Sequence, residues 1–372
     1  MAGQYTTEEK KVTEEFPYAR RQRSARMVMD SHKLDGILFH SLENLRYLCG
    51  FTGSDGALLL TQREAFFLTD SRYWTQSEHE VKESQIVHYN KKAEGIASLL
   101  SDLSLRTVGF ESASISFAFH QALLGRLAKE THLVPIEEEL KNLRAVKDAQ
   151  ELALTRKAID ISSNAFLHIT EILKEGALEA DIALEMEFSM KRNGSEATGF
   201  DIIVASGKRS ALPHGKASPK RIEKGDFVLI DFGSRHGGYH SDQTRTLVCG
   251  KASPEQEKIY QVVKDAHDRA IEKIRPGIPI RQVDEAARDY IQRSGYGDYF
   301  GHGTGHGIGL AVHEDPVINR ENNDLIEEGM VFTIEPGIYI PDRGGVRIED
   351  MIRVTSNGAE ILTYLPTELK AI

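Results

Sequence analysis

Four acidic residues occupy matching places in two similar segments of the chain. The segment GDFVLIDFG, residues 225–233, places Asp231 directly after an apolar run, and GMVFTIEPG, residues 329–337, does the same with Glu335. An apolar run without polar alternation is typical of a strand covered on both faces, where an unpaired carboxylate is costly. Each carboxylate therefore needs a partner. The partner could be the backbone of a turn that starts at the acid, a buried base or a metal ion.

Each segment is followed by residues that are typical of a turn, SRHGG in the first copy and PDRGG in the second. A returning strand is predicted after each turn. The returning strands carry Asp242 and Glu349. In each copy the midpoint between the two acids falls inside the turn, so we expect each acid to lie opposite, or nearly opposite, its hairpin partner. Facing Cβ atoms of such a pair are about 4.5–5.5 Å apart, and two carboxylates held that close repel each other.

Divalent cations would compensate these four acids better than buried bases. The obvious basic candidates are only Arg245 and Arg347. Two divalent ions would suffice, and oxygen-rich sites with about one imidazole suit Mn²⁺, Co²⁺ or Zn²⁺. The segment GHGTGHGIGLAVHE, residues 301–314, offers histidines among glycines, although a flexible loop with incidental histidines is the alternative. We therefore predict a metal centre that is formed by the four acids and a histidine of this segment.

Nucleotide-binding motifs are not expected in these segments. The letters DFG at 231–233 also occur in protein kinases, but neither a glycine-rich phosphate loop nor HRD stands upstream. The histidine segment contains no GxGxxG window, so a phosphate-binding loop is not predicted there.

The acids belong to a duplicated helix-helix-strand-strand unit. In the first copy we expect a helix that ends in ILKEG, residues 172–176, and a second helix from about Asp181 to KRNG. In the second copy we expect a helix that ends in KIRPG, residues 273–277, and another from about Ile280 to QRSG. The start of the third helix carries a capping-box signal, formed by Ser253, Pro254 and Gln256.

The first part of the chain has a different organisation. It alternates helical patterns with four short β-rich runs, which are DGILFH at 35–40, GALLLT at 56–61, AFFLTD at 65–70 and TVGFE at 107–111. Such alternation favours an α/β sheet domain. The charged segment 134–151 leads into a new helix. We therefore expect an α/β protein with an N-terminal α/β domain, residues 1–140, and a C-terminal α+β domain, residues 141–372, that is built from the duplicated unit.

Composition excludes several classes of protein. The 372 residues carry a formal charge of −10, from 46 basic and 56 acidic residues, which disfavours a nucleic-acid partner. The basic run at 19–26 is interpreted as the solvated face of a first helix. Residues 1–16 lack the apolar core of a secretory signal, and no stretch approaches about 18 apolar residues, so a cytoplasmic location is expected. Cys49 and Cys249 are interpreted as small buried side chains.

Several motifs together resemble a known family. They are DFG through GYHSDQTRT, then GHGTGHGIGL, VHE, TIEPGIY and GGVRIED, and in this order they are similar to the Xaa-Pro peptidases, aminopeptidase P and prolidase, of the pita-bread fold. YLCGFTGSDGALLLT and LTDSRYW resemble the creatinase-type N-terminal domain of that family, and FDIIVASGKRSALPHG continues the likeness into the catalytic domain. The resemblance covers nearly the whole chain.

The resemblance implies a centre with two divalent metal ions per chain, Mn²⁺ first and Co²⁺ or Zn²⁺ as alternatives. It implies Asp231 on one ion, His306 and Glu335 on the other, and Asp242 and Glu349 as bridging ligands. All five positions carry the residue types of the family.

The resemblance also implies residues that act on the substrate. The catalytic candidates are His214, His313, Glu335 and Arg347. The substrate-binding candidates are Phe200, His302 and Tyr339. Of these, His214 and His313 would hydrogen-bond the scissile amide or its tetrahedral intermediate, and Glu335 would transfer the proton. The alternatives are ordinary loop histidines and a packed strand tyrosine.

The implied function is metal-dependent hydrolysis of the Xaa-Pro bond at the N-terminus of a peptide, with a homodimer in which the N-terminal domain lies near the partner's site. We expect tripeptides and longer chains to be cleaved, with an Xaa-Pro dipeptidase as the alternative. Methionine aminopeptidase resembles the second domain alone, and creatinase uses no metal, so both fit less well. A non-catalytic binding protein of the same fold is the remaining alternative.

Overall fold

The computed structural model describes residues 17–372. The chain divides into two compact units, residues 1–143 and residues 144–372. Each unit has its own hydrophobic core, one between Leu38 and Leu123 along the chain and others from Ala145 onward. No helix within the described range is long and apolar enough to cross a membrane. Cys49 and Cys249 are both buried and free, as expected.

Unit 1 alternates helices and strands. Its helices are α1 (Pro17–His32), α2 (Leu42–Cys49), α3 (Trp74–Glu80), α4 (Lys92–Asp102) and α5 (Phe117–Leu124), with a short 3₁₀ helix at Ser71–Tyr73. Its strands are β1 (Gly36–Phe39), β2 (Ala57–Thr61), β3 (Ala65–Thr69), β4 (Gln85–His88), β5 (Thr107–Glu111) and β6 (His132–Ile136). They form one six-stranded sheet in the order β4-β3-β2-β1-β5-β6. The predicted α/β class is confirmed.

The apolar runs of the sequence form the four inner strands of this sheet, β1, β2, β3 and β5. The two edge strands, β4 and β6, were not predicted. Most of their residues are exposed or half-buried. An edge strand with little buried surface needs no continuous apolar run, so the pattern that reveals the inner strands is missing there.

The basic run at 19–26 lies in α1, but the prediction that it is a solvated face is wrong in part. Arg21 is buried, its Nη1 donates to the carbonyl of Tyr47 at 3.1 Å, and its guanidinium lies 4.3 Å from the centroid of the Tyr47 ring. Gln22 is also buried and donates to the carbonyl of Leu48 at 3.1 Å. The helical period turns these two residues toward α2, where each donates to a backbone carbonyl.

Unit 2 contains four long helices and thirteen strands within the described residues. The helices are α6 (Ala149–Ile172), α7 (Glu179–Arg192), α8 (Pro254–Lys273) and α9 (Arg281–Arg293), with 3₁₀ helices at Gly207–Ala211 and Gly297–Tyr299. The strands are β7 (Ala197–Thr198), β8 (Ile203–Ser206), β9 (Phe227–Phe232), β10 (Ser234–His236), β11 (Tyr239–His240), β12 (Gln243–Val248), β13 (Gly305–Gly307), β14 (Glu314–Ile318), β15 (Val331–Ile334), β16 (Gly337–Ile340), β17 (Gly344–Arg347), β18 (Asp350–Thr355) and β19 (Gly358–Ile361).

The predicted duplication is present. The pairs α6–α7 and α8–α9 are each followed by strands, and the first helix of each pair begins with a capping box, in which two orphan backbone donors are satisfied reciprocally. The box of α8 is formed by Ser253 and Gln256, as predicted, and that of α6 by Asp148 and Glu151.

The two copies contribute separate sheets. The first gives the sheets β12-β9-β8 and β11-β10-β7, and the second gives β14-β13-β15-β18-β19 and the ladder β16-β17. The copies are joined where Thr244 of β12 pairs with Glu349, whose N–H donates to the Thr244 carbonyl at 3.2 Å. This bridge brings the ends of the two acidic hairpins together.

Candidate metal centre

The first pair of acids lies in the hairpin that starts with β9. Thr244 of β12 is opposite Asp231, and β10 and β11 continue the same register. The turn therefore consists of Gly237 and Gly238, whose φ values of 57° and 80° match the two-residue turn that suits a twisted hairpin. Asp242 lies two positions from Thr244, diagonal to Asp231 and on the same face. The two acids are thus nearly opposite and not directly opposite.

The second pair of acids faces directly. β15 and β18 pair with Ile334 opposite Asp350, and β16 and β17 pair in the same register on the other side. This register places Glu335 opposite Glu349, as the sequence predicted. Both acids stand between two ladders, where the backbone hydrogen bonds are interrupted and the side chains point toward the first hairpin.

Two threonines that the sequence analysis missed hold these carboxylates. Thr244 donates from Oγ1 to Oε2 of Glu349 at 2.7 Å. Thr333 donates from Oγ1 to Oε1 of Glu335 at 3.3 Å and accepts from the N–H of His306 at 3.1 Å. Each threonine is two residues from an acid on its own strand, so the alternation of strand faces is a signal that could have found them.

His306 completes the group of donors. Its Nδ1 lies 3.0 Å from the carbonyl of Gly307, which can only accept, so Nδ1 carries the proton and Nε2 has a free lone pair. Nε2 lies 3.4 Å from Oε1 of Glu335 and 3.6 Å from Oδ2 of Asp242. Burial lowers the pKa of His306, which favours the neutral form that binds metals.

The group has the properties of a cation site. One ligand atom each of Asp242, His306 and Glu349 lie within 4.8 Å of one another. Within residues 17–372, Oδ1 of Asp231 and Oδ1 of Asp242 are buried without a hydrogen-bond partner. Burial raises the pKa of Asp242 and of Glu349 well above the ordinary carboxyl value, and nearby carboxylates add to both shifts. Four carboxylates and one imidazole therefore fit one or more divalent ions well.

Buried bases compensate only part of this negative charge. Arg347 pairs with Asp231, with Nη2 2.5 Å from Oδ2. Arg245, the other basic candidate, pairs with Asp350 at 2.7 Å instead and donates to the backbone carbonyl of Glu349 at 2.7 Å. It thus fixes the backbone beside an acid without touching the acid itself. Among the described residues, Arg347 is thus the one arginine whose side chain pairs with any of the four acids, and it pairs with Asp231.

Arg347 also belongs to a hydrogen-bonded chain with Tyr339 and His302. Nη1 of Arg347 donates to the Tyr339 hydroxyl at 2.8 Å, and that hydroxyl lies 2.9 Å from Nε2 of His302. Nδ1 of His302 lies 2.7 Å from the Gly303 carbonyl and so carries the proton. Burial raises the pKa of Tyr339 to about 12, so its hydroxyl keeps the proton that it donates to His302.

A cavity of about 460 Å³ is lined by most of the predicted site residues. Its lining includes ten of them, which are Phe200, His214, Asp231, Asp242, His302, His306, His313, Glu335, Arg347 and Glu349. Tyr339 does not line the cavity and contacts it through Arg347 and His302. The cavity lining thus combines four carboxylates of the predicted site with four imidazoles.

His313 stands beside the group of donors. Its ring centroid is 4.3 Å from that of His306, with the planes at 70°. The following residue, Glu314, is buried and pairs with Lys147 at 2.8 Å and with Arg144 at 2.9 Å. Sequence analysis missed this ionic cluster, because its members are about 170 positions apart in the chain and only folding brings them together.

Comparisons with known proteins identify the family of the chain. The model of metallopeptidase family M24 matches residues 153–356, and that of the creatinase/prolidase N-terminal domain matches residues 21–146. An Xaa-Pro dipeptidase of Pyrococcus horikoshii is 40% identical over 344 residues, which cover 92% of this chain and 96% of the relative.

Two solved structures are similar throughout. An Xaa-Pro dipeptidase from Bacillus anthracis has a TM-score of 0.92 at 39% identity and covers 95% of this chain and 100% of its own. An X-Pro aminopeptidase from Thermotoga maritima has a TM-score of 0.85 at 36% identity, with 94% and 99% coverage. With the donor geometry described above, these matches show that the chain belongs to metallopeptidase family M24 and carries a creatinase/prolidase N-terminal domain.

Proposed function

We propose that this chain uses two divalent metal ions to hydrolyse the bond before a proline at the second position of a peptide. Similar proteins are named for Xaa-Pro dipeptidase and X-Pro aminopeptidase activity. The observation that carries the proposal is that four carboxylates and one imidazole line one cavity. Ligand atoms of Asp242, His306 and Glu349 lie within 4.8 Å of one another. In addition, Oδ1 of Asp231 and Oδ1 of Asp242 are buried and accept no hydrogen bond from residues 17–372.

Five residues are proposed to hold the ions. Asp231, Asp242, His306, Glu335 and Glu349 would hold the two ions. Mn²⁺ is the first choice, with Co²⁺ and Zn²⁺ as alternatives, because the set is rich in oxygen and has one imidazole. Such ions, when bound, polarise a carbonyl oxygen and lower the pKa of water toward neutrality.

Glu335 is proposed to carry the proton. The nitrogen of an Xaa-Pro bond belongs to a tertiary amide and has no N–H, so it must receive a proton when it leaves. A carboxylate of Glu335 can accept that proton from the attacking water and return it to the nitrogen. Burial raises the pKa of the Glu335 carboxyl above its ordinary value.

Two imidazoles of the cavity lining, those of His313 and His214, are proposed to bind the reacting amide. Burial lowers the pKa of His313, so at neutral pH the ring is uncharged and has one N–H to donate. His214 would provide a second donor. Arg347 would orient Asp231, and the surfaces of Phe200 and His302 would contact the substrate.

A substrate longer than a dipeptide is proposed, with an Xaa-Pro dipeptide as the alternative. The carboxylate of an Xaa-Pro dipeptide would lie next to the proline ring and would need a cationic partner. Among the described residues, the cavity is lined by one arginine, Arg347, and one lysine, Lys216. Arg347 is paired with Asp231, and Lys216 is paired with Asp201 at 2.7 Å. We therefore propose cleavage of tripeptides and longer chains, with dipeptides cut at a comparable or lower rate.

The proposal is tested with three peptides under one metal condition. We expect kcat/KM for Ala-Pro-Ala to equal or exceed that for Ala-Pro, and Ala-Ala-Ala to be a poor substrate. The same samples should contain two ions per chain by mass spectrometry and lose activity on chelation. If Ala-Pro is at least tenfold better than Ala-Pro-Ala, the chain is an Xaa-Pro dipeptidase. Efficient cleavage of Ala-Ala-Ala would contradict proline specificity, and metal binding without any cleavage would indicate a non-catalytic protein.

We also propose that the chain forms a homodimer and that unit 1 supports dimerisation and substrate access. The family resemblance of residues 21–146 to the creatinase/prolidase N-terminal domain supports this role. Sedimentation equilibrium should give twice the mass of the 41.6 kDa chain. A monomer at micromolar concentration would contradict the proposal.

A further inference from the structure

The His214 loop, defined here as residues 206–218, begins at the end of β8 and carries His214 at the wall of the cavity. Both ends of this loop are bonded to one buried carboxylate, which belongs to Glu179 at the start of α7. The side chain of Glu179 is 0% exposed. The reaction proposed above assigns Glu179 no role, although a buried carboxylate is costly unless it is fully bonded.

The Glu179 carboxylate is fully bonded. Its Oε1 accepts from the backbone N–H of Ser206 at 2.7 Å and from the Ser206 hydroxyl at 2.8 Å. Its Oε2 accepts from the Ser218 hydroxyl at 2.6 Å and from Nε of Arg209 at 3.0 Å. A carboxylate has about four acceptor sites, and all four are used here. One side chain thus joins the first and last residues of the His214 loop.

Arg209 extends this bonding into the loop. Its guanidinium bonds Glu179 on one side, and its Nη2 donates to the carbonyl of Lys216 on the other. The tip of the loop is held from the cavity side as well, because the carbonyl of Pro213 accepts from Nη1 of Arg347 at 3.2 Å. His214 follows Pro213 directly, so its backbone position is set by Glu179 through Arg209 and by Arg347.

We infer that Glu179 is a positioning residue for His214, which it holds at the cavity by closing the base of the His214 loop. In Glu179→Gln an NH₂ group replaces one of the two carboxylate oxygens. This NH₂ group cannot accept from the N–H and O–H groups that now donate to that oxygen, so the loop loses hydrogen bonds at one of its ends. A displacement of about 1 Å at a group that binds the reacting amide can cost about 10² in rate. This inference rests on the proposed role of His214.

The first test is a double-mutant cycle on Xaa-Pro cleavage. We expect Glu179→Gln to lower kcat at least tenfold with little change in bound metal, and His214→Ala to lower kcat by about 10². If Glu179 acts through His214, the double variant is no slower than His214→Ala alone within about twofold. Independent, multiplying losses would overturn the inference. The matched control is Glu187→Gln, which changes an exposed acid of the same helix that pairs with Lys191.

The second test needs no activity. Amide hydrogen exchange should accelerate in residues 206–218 of Glu179→Gln and stay unchanged elsewhere in unit 2, whereas unchanged exchange in the loop would overturn the inference. If Glu179→Gln lowers the stability of the whole protein, Ser218→Ala, which removes one bond to the same carboxylate, takes its place in both tests. Absence of Xaa-Pro cleavage in the wild type would overturn the proposed function, and the exchange experiment would still decide whether Glu179 closes the loop.

Discussion

At the scale of single residues, the chemistry of the centre depends on what each carboxylate touches. Asp231 and Asp242 each have one buried oxygen without a hydrogen-bond partner among residues 17–372, and the other oxygen of Asp231 pairs with the guanidinium of Arg347. Glu349 accepts from a threonine hydroxyl, which supplies no charge. The raised pKa values of Asp242 and Glu349 mean that protons compete with metal ions for these oxygens. We therefore expect substitutions here to change metal content before they change the fold.

Asp242→Asn should abolish activity and reduce bound metal, because a neutral amide cannot bridge two cations as a carboxylate does. The measurements are metal stoichiometry by mass spectrometry and the rate of Ala-Pro-Ala cleavage. Asp289→Asn, which alters an exposed acid on α9, is the control and should leave both unchanged. Two ions per chain with near wild-type turnover in Asp242→Asn would refute the assignment.

His313→Ala should lower kcat by about 10²–10³ while metal content stays the same, because we assign this ring to the transition state. His168→Ala, which changes an exposed histidine of α6, serves as the control. If the main effect is a loss of metal affinity, His313 is a metal ligand instead. Metal content is measured because the His313 ring lies only 4.3 Å from the His306 ring.

At the scale of elements, the centre depends on close approach between strands. β13 carries His306 and packs against β15, which leads to Glu335. A Cβ atom on Gly305 would lie 1.9 Å from the carbonyl oxygen of Thr333, so only glycine lets the two backbones approach this closely. The glycines of the histidine segment therefore set the distance between an imidazole and a carboxylate.

Gly305→Ala should lower the free energy of unfolding by about 1–3 kcal/mol, because β13 must move away from a backbone atom that cannot yield. The same movement should weaken metal binding at His306. Urea denaturation and metal stoichiometry measure the two effects. Gly301→Ala is the matched control, since a Cβ there meets nothing within 4 Å. Wild-type stability and metal content in Gly305→Ala would contradict this account.

At the scale of the whole molecule, the two units have separate cores. The core of unit 1 draws on residues between Leu38 and Leu123, and the main cores of unit 2 lie between Ala145 and Leu365. All five proposed ligands, and every residue that lines the cavity, belong to unit 2. The proposed metal ligands are thus all supplied by residues 144–372.

Residues 144–372 expressed alone should therefore fold and bind two metal ions. Cooperative thermal unfolding by circular dichroism and metal stoichiometry are the measurements. The same piece with Asp242→Asn should fold equally well with less metal. A non-cooperative transition would show that unit 2 needs unit 1 for its stability.

The amino-acid sequence was sufficient to predict the roles of the acids and the histidine segment as site candidates, the duplication and the inner strands of unit 1. These features follow from local properties: the spacing of Asp231 and Glu335 from their glycines, the apolar runs before them and the helix start at Ser253 are each read within a few residues. The direct opposition of Glu335 and Glu349 was also predictable, because the turn lies at their midpoint.

The remaining contacts depend on the folded structure and could not be predicted from the sequence. The two-residue turn at Gly237 shifts the register of the first hairpin, so Asp242 is diagonal to Asp231. The hydrogen bond from Thr244 to Glu349 joins residues that are 105 positions apart in the chain, and so does the bond from Arg245 to Asp350. Such pairs depend on strand register and on which segments become neighbours, and neither is encoded in the spacing of residues along one segment.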